Sequence, residues 1–265
     1  MIVAPTVIGE PDDDKGASVD GPVVTTGTGA WRPLLEGELA ARARAVARDI
    51  AQALVGLEPQ HLAAATDAVV FWAHAAETFP EPWVDAAYDE ALEDLAAAIA
   101  RGTSSLAMFG GITGAAWAAQ HLAGNAGTED DDEEEGELPP QVDALLLAAL
   151  QRSDWVGPYD LVSGLVGYGV YFLAGLDRST AQRGLALTMQ RLLAWAEPLD
   201  GGLAWKTPPA LLPAHHRRRH PTGLFDLGLA HGVVGVIALQ SAVLRARALP
   251  DEEGRIRASL QGALA

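Results

Sequence analysis

The chain has 265 residues, enough for one large domain or two small ones, and it is 49% apolar and 20% charged, the balance of a globular fold. A net charge of −17 repels phosphate backbones and anionic lipid heads, so nucleic acid and membrane surfaces are not expected as partners. The complete lack of cysteine excludes disulfides, thiol catalysis and cysteine-based zinc sites within these residues.

Alanine and leucine dominate the apolar share and aromatics are only 6%, which favours an all-α chain. Residues 1–30 are rich in Gly, Pro, Asp and Thr without a sustained period and read as a flexible leader. Their start, Met1-Ile2-Val3-Ala4-Pro5, has no basic segment before an apolar core and runs on to Asp12-Asp13-Asp14. No secretory signal is visible there, and a cytoplasmic location is expected.

From residue 31 to 265 the pattern is that of one helical domain. Leu35, Leu39, Ala43, Val46, Ile50, Ala53, Leu54 and Leu57 fall on a helical stripe. A second helix is predicted over 60–77. A third runs over 82–101, with Leu92, Leu95, Ala96 and Ile99 inward and Asp89, Glu90 and Glu93 outward. Residues 128–137 carry eight acids and read as a solvated loop before Pro139-Pro140. Helices are predicted over 141–152 and 178–197, followed by a Pro-rich loop over 199–224 and a last helix after Pro250-Asp251. That loop holds His215-His216-Arg217-Arg218-Arg219-His220, readable as a solvated run or as a docking patch for an acidic peptide. His216 and His220 are four apart, but in a Pro-bounded loop helical spacing means little for metal binding.

Three segments align on a Gly-x-x-Gly step: Gly111-Ile112-Thr113-Gly114, Gly164-Leu165-Val166-Gly167 and Gly232-Val233-Val234-Gly235. Each step opens a mostly apolar helix, and the helices between them are more amphipathic, so buried inner helices alternate with outer ones. This pattern predicts an all-α, α/α toroid, in which paired glycines leave one helix face bare for close packing. The stretch Leu227 to Leu244 is long enough to suggest a membrane span. It starts like the two shorter copies, however, and reads as a buried helix. Inner-helix starts share one rim, where the second copy brings Asp160 and Ser163 and the third brings His231. Taken alone, His231 reads rather as a hydrogen-bonded core histidine at a helix start, and for Asp160 a helix N-cap and a catalytic role are compatible.

Tyr159-Asp160-Leu161-Val162-Ser163-Gly164 and Asp226-Leu227-Gly228-Leu229-Ala230-His231-Gly232 resemble motifs of the lanthionine synthetase C-like family, and Gly110-Gly111-Ile112-Thr113-Gly114 resembles an earlier copy. The resemblance covers about residues 80–250. It implies a toroid of helical hairpins around a zinc ion that activates a cysteine thiolate of a modified precursor peptide. The thiolate adds to dehydroalanine or dehydrobutyrine and closes a thioether ring. In that family the aspartate and histidine of these motifs line the site, so Asp160 and His231 are the expected catalytic pair. The family's zinc ligands, two cysteines and a histidine of later copies, have no counterpart here, so no metal ligand is assigned. The toroid is expected to be incomplete, inactive alone, and completed by a second chain or by self-association. Two alternatives stay open: a non-catalytic peptide-binding α/α module, and an α/α-barrel enzyme acting on glycans through Asp160 with Asp226.

Overall fold

A computed structural model describes residues 34–126, 138–152 and 155–265. The expected leader and the acidic run over 128–137 lie outside these. The described helices are α1 (Gly37–Leu54), α2 (Leu62–Thr78), α3 (Pro82–Ala100), α4 (Ile112–Ala126), α5 (Leu138–Leu150), α6 (Leu165–Ala174), α7 (Ser179–Trp195), α8 (Ala214–Arg219), α9 (Val233–Arg245) and α10 (Glu253–Leu264). Four short strands lie between α7 and α9: β1 (Glu197–Leu199), β2 (Gly202–Ala204), β3 (Lys206–Thr207) and β4 (Leu224–Phe225).

Inner helices α2, α4, α6 and α9 pack side by side in chain order, and α3, α5, α7 and α10 back them from outside. Among the described residues α6 is the most enclosed: Leu165, Val166, Tyr168, Tyr171 and Phe172 are all buried. The arc is that of a helical toroid. In α9 the apolar-all-round expectation holds on one side only. Val236, Leu239 and Val243 are buried, while Val234 and Ala238 are exposed.

The three glycine steps share one local geometry, and it gives the glycines a different reason from the one their spacing suggests. The loop before each inner helix folds back over the helix start, so that Ser105, Pro158 and Asp226 carbonyls accept the N–H of Ile112, Leu165 and Val233. A Cβ on Gly111, Gly164 or Gly232 would strike the carbonyl six residues earlier, on Ser105, Pro158 or Asp226. Gly114, Gly167 and Gly235 lie under Met108, Leu161 and Leu229 carbonyls in the same way. Both glycines of a step therefore make room chiefly for their own loop. Crowding from a neighbouring segment adds to this at Gly167, where a Cβ would also meet Met108 Cβ at 2.7 Å.

Two predicted faces differ from the structure. In α3 the buried line is Val84, Ala87, Ala91, Leu95 and Ala98, and Leu92 and Ala96 are exposed. Alanines let α3 lie close against α2, and that closeness outweighs the larger Leu92 in choosing the face. In α1 the apolar stripe forms, but Leu39, Val46, Ile50 and Leu54 are exposed and only Ala51 is buried. The predicted boundary at Pro139-Pro140 also shifts. Both prolines sit in the first turn of α5, where a missing N–H costs nothing.

The segment 199–224 is more ordered than a loop. β1 and β2 form an antiparallel hairpin across Asp200-Gly201, both at positive φ (48° and 90°), as a two-residue type I′ turn requires. β3 pairs with β4, and α8 carries the basic run between them. His216 thus lies in a short helix with His220 at its C-cap, which corrects the expectation of an irregular loop. Trp205 anchors this subdomain: it is buried, and its Nε1–H donates to the Leu192 carbonyl at 2.9 Å.

Sequence reading missed one internal device. Asp143 of α5 is fully buried and accepts hydrogen bonds from Tyr171 Oη at 2.7 Å, Arg178 Nε at 3.0 Å and the Thr180 hydroxyl. Arg178 also donates to Gln120 Oε1 of α4 at 2.8 Å, so one ion pair ties together α4, α5, α6 and α7. Burial first, and the Asp143 carboxylate second, push the Tyr171 phenol well above its ordinary value.

Candidate functional site

The loops before α6 and α9 meet edge to edge. Leu161 N–H donates to the Ala230 carbonyl at 3.0 Å, and Phe109 N–H donates to the Val162 carbonyl at 2.9 Å, lacing the three loops along one rim. Asp160 precedes Leu161 and His231 follows Ala230, so the first of these bonds brings their side chains together.

Asp160 divides its oxygens between a local and a distant partner. Oδ1 accepts the Ser163 backbone N–H at 2.8 Å and the Ser163 hydroxyl at 3.2 Å, closing the turn. Oδ2 lies 2.7 Å from His231 Nδ1. A carboxylate oxygen can only accept, so Nδ1 carries the proton, and Nε2 is the ring nitrogen left for the cavity. The Asp160 side chain is 13% exposed and that of His231 60%, a held carboxylate beneath a reachable imidazole.

Both residues line a cavity of about 440 Å³ that also has Tyr159, Thr207, His216 and Asp226 in its wall. The wall is part rim loop and part the β-rich subdomain, which is why the spacing of the glycine steps alone did not reveal His216 or Thr207. Tyr159 Oη donates to the Trp205 carbonyl at 3.0 Å and joins the two parts. Burial pushes its phenol up to about 12, with Asp226 and Asp160 adding to the rise. The Tyr168 phenol is likewise pushed up to about 12 by burial and by Asp160. Asp226 Oδ1 accepts the Gly228 N–H at 2.6 Å, so this carboxylate holds the turn ahead of α9. A second, more apolar cavity of about 860 Å³ lies between α2 and α4, walled by Phe71, Phe109, Trp117 and Leu161.

The donor set does not fit the zinc that the family resemblance implies. The chain has no thiol, and among the described residues no group of three or more His, Asp or Glu side chains could hold a metal ion. Both Asp160 oxygens are committed, and His231 has only Nε2 to offer. Among the described residues no helix is long and apolar enough to cross a membrane, the stretch from Leu227 included.

Comparison with known proteins bears on the family and the fold. The family model "Lanthionine synthetase C-like protein" matches residues 68–261. Among solved structures the fold is similar to a nisin cyclase, at 16% identity and a TM-score of 0.56, covering 84% of this chain. The chain spans 55% of the length of that cyclase. No curated protein sequence matches it.

Proposed function

The chain belongs to the lanthionine synthetase C-like family, and from that membership we propose that it serves thioether ring formation on a dehydrated, cysteine-containing peptide. The observation that carries this reading is the 2.7 Å contact of His231 Nδ1 with Asp160 Oδ2 at the mouth of one cavity. In the reaction a thiol sulfur bonds to the β-carbon of a dehydro residue. The double-bond electrons move toward the carbonyl as an enolate, and the α-carbon takes up a proton. His231 Nε2, unprotonated in this tautomer, takes the proton that the thiol loses and hands it to the α-carbon, so the ring ends as it began. Asp160 fixes the ring and its tautomer, a positioning role, while Ser163 fixes Asp160.

Thiolate activation by zinc is not assigned to these residues, because their donors do not fit it. We propose that a polypeptide bearing the thiolate and imidazole ligands supplies that part, and that this chain alone does not close rings. The decisive test mixes the chain, zinc and a synthetic dehydrated cysteine peptide, with alkylation of remaining thiols read by mass spectrometry. Thiols should stay free with the chain alone, and equilibrium dialysis should find no tightly held zinc. The peptide should nevertheless shift the His231 imidazole resonances in NMR spectra. Ring closure by the chain alone, or stoichiometric zinc, would overturn the division of labour; silent His231 resonances would overturn the site.

A further inference from the structure

We propose that α8 is a docking surface for an acidic segment of the peptide whose reactive part enters the cavity of Asp160 and His231. The proposal rests on that cavity being the peptide site. Residues 215–220 hold three arginines and three histidines in a chain with 18 basic and 35 acidic residues. The structure makes this run a helix with two sides. His216 turns into the cavity wall, and His215, Arg218 and Arg219 are exposed on the outside.

Arg217 donates from Nη2 to the Leu212 carbonyl at 3.0 Å, which pins the helix to the turn before it. Among the described residues none of Arg217, Arg218 and Arg219 meets a carboxylate. A cluster of cations held in a fixed helix, unpaired, and one side chain away from the cavity suits an anionic partner. The net charge of −17 narrows the choice. A long phosphate polymer or an anionic bilayer would meet the acidic remainder of the surface, while a short carboxylate-bearing segment touches only the patch. Screening over about 8 Å at physiological salt confines the attraction to that length.

The test compares two fluorescent peptides by anisotropy. Both share a cysteine and dehydroalanine core; one carries a flanking Glu/Asp run and the other Gln/Asn at the same places. The acidic form should bind roughly tenfold tighter at low salt, with the advantage shrinking as salt rises. Arg218→Gln with Arg219→Gln should remove the advantage and leave the neutral peptide's affinity unchanged. Arg218→Lys with Arg219→Lys should keep most of it. Equal affinities for the two peptides, or an advantage that survives both the Gln pair and high salt, overturns the proposal. Both arginines are exposed and free of side-chain hydrogen bonds among the described residues, and the salt series on the unaltered chain decides the matter if the Gln pair misfolds. His231→Asn should keep the acidic preference. A peptide that leaves the His231 imidazole resonances of the unaltered chain unshifted would sink the catalytic reading alone, and a missing acidic preference would sink the docking reading alone.

Discussion

His231 and Asp160 are 71 residues apart in the chain and 2.7 Å apart in space, because the residues beside them, Ala230 and Leu161, share a backbone hydrogen bond. Asp160 is therefore at once a turn-closing cap and the orienting partner of a reachable imidazole. Asp160→Ala should lower stability by about 1–2 kcal/mol, the usual range for losing such a cap. It should also release the His231 ring. Urea denaturation measures the first effect and histidine side-chain NMR the second. A stable variant with an unchanged His231 signal would show that the contact orients nothing.

The glycine steps make a sharper stability forecast. At Gly164 and Gly232 a Cβ would collide with the carbonyls of Pro158 and Asp226, so alanine must lift the loop off the helix start and open the rim. A loss of about 3 kcal/mol or more is expected for either. Gly254 in the first turn of α10 is the control: a Cβ there meets nothing within 4 Å, and alanine should be neutral or stabilising by up to about 1 kcal/mol. Thermal melts of the three variants check the contrast.

How much of this could be read from the sequence depended on what kind of interaction did the work. The starts of α4, α6 and α9 were legible because glycine is the one residue that fits beneath the folded-back loop. The backbone bonds that lace the loops leave no mark on side-chain identity, so the glycine spacing put Asp160 and His231 on one rim and only the family resemblance named them as a pair. Asp143 and Arg178 reflect the opposite difficulty. Charges in amphipathic helices read as solvent-facing, yet Asp143 is inside and Arg178 half-buried over it, satisfied by partners from three other stretches of chain. The order of 197–225 was hidden by its prolines, which here bound short strands and the α8 helix. In α1 periodicity gave the helix and its stripe, but a stripe cannot say what covers it.

Alkaline pH offers a test of how the site wall is packed. The phenols of Tyr159 and Tyr168 are pushed from 10.0 up to about 12, so the folded state holds their protons more tightly than the unfolded chain. A raised value gives stability that is fully present below pH 10 and lost as pH climbs from 10 to 12. Melting temperature should fall through that window, together with a late phenolate absorbance change. Tyr159→Phe should flatten part of the fall. Phenolate appearing near pH 10 from every tyrosine, with the fold intact, would contradict the burial.

The buried pair should show the strongest coupling in the molecule. Removing Arg178 leaves Asp143, among the described residues, with only the Tyr171 and Thr180 hydroxyls and no counter-charge. Arg178→Met should therefore cost about 3–5 kcal/mol, the range for an orphaned buried charge. Replacing both, as Asp143→Leu with Arg178→Met, removes the uncompensated charge and should cost clearly less than the sum of the single changes. Gln120 and Tyr171 lose a partner in the double variant, so some loss remains. A double-mutant cycle in urea measures the difference. Additive costs would mean that Asp143 is steadied by its hydroxyl neighbours alone, and that the guanidinium only fills space between α4 and α7.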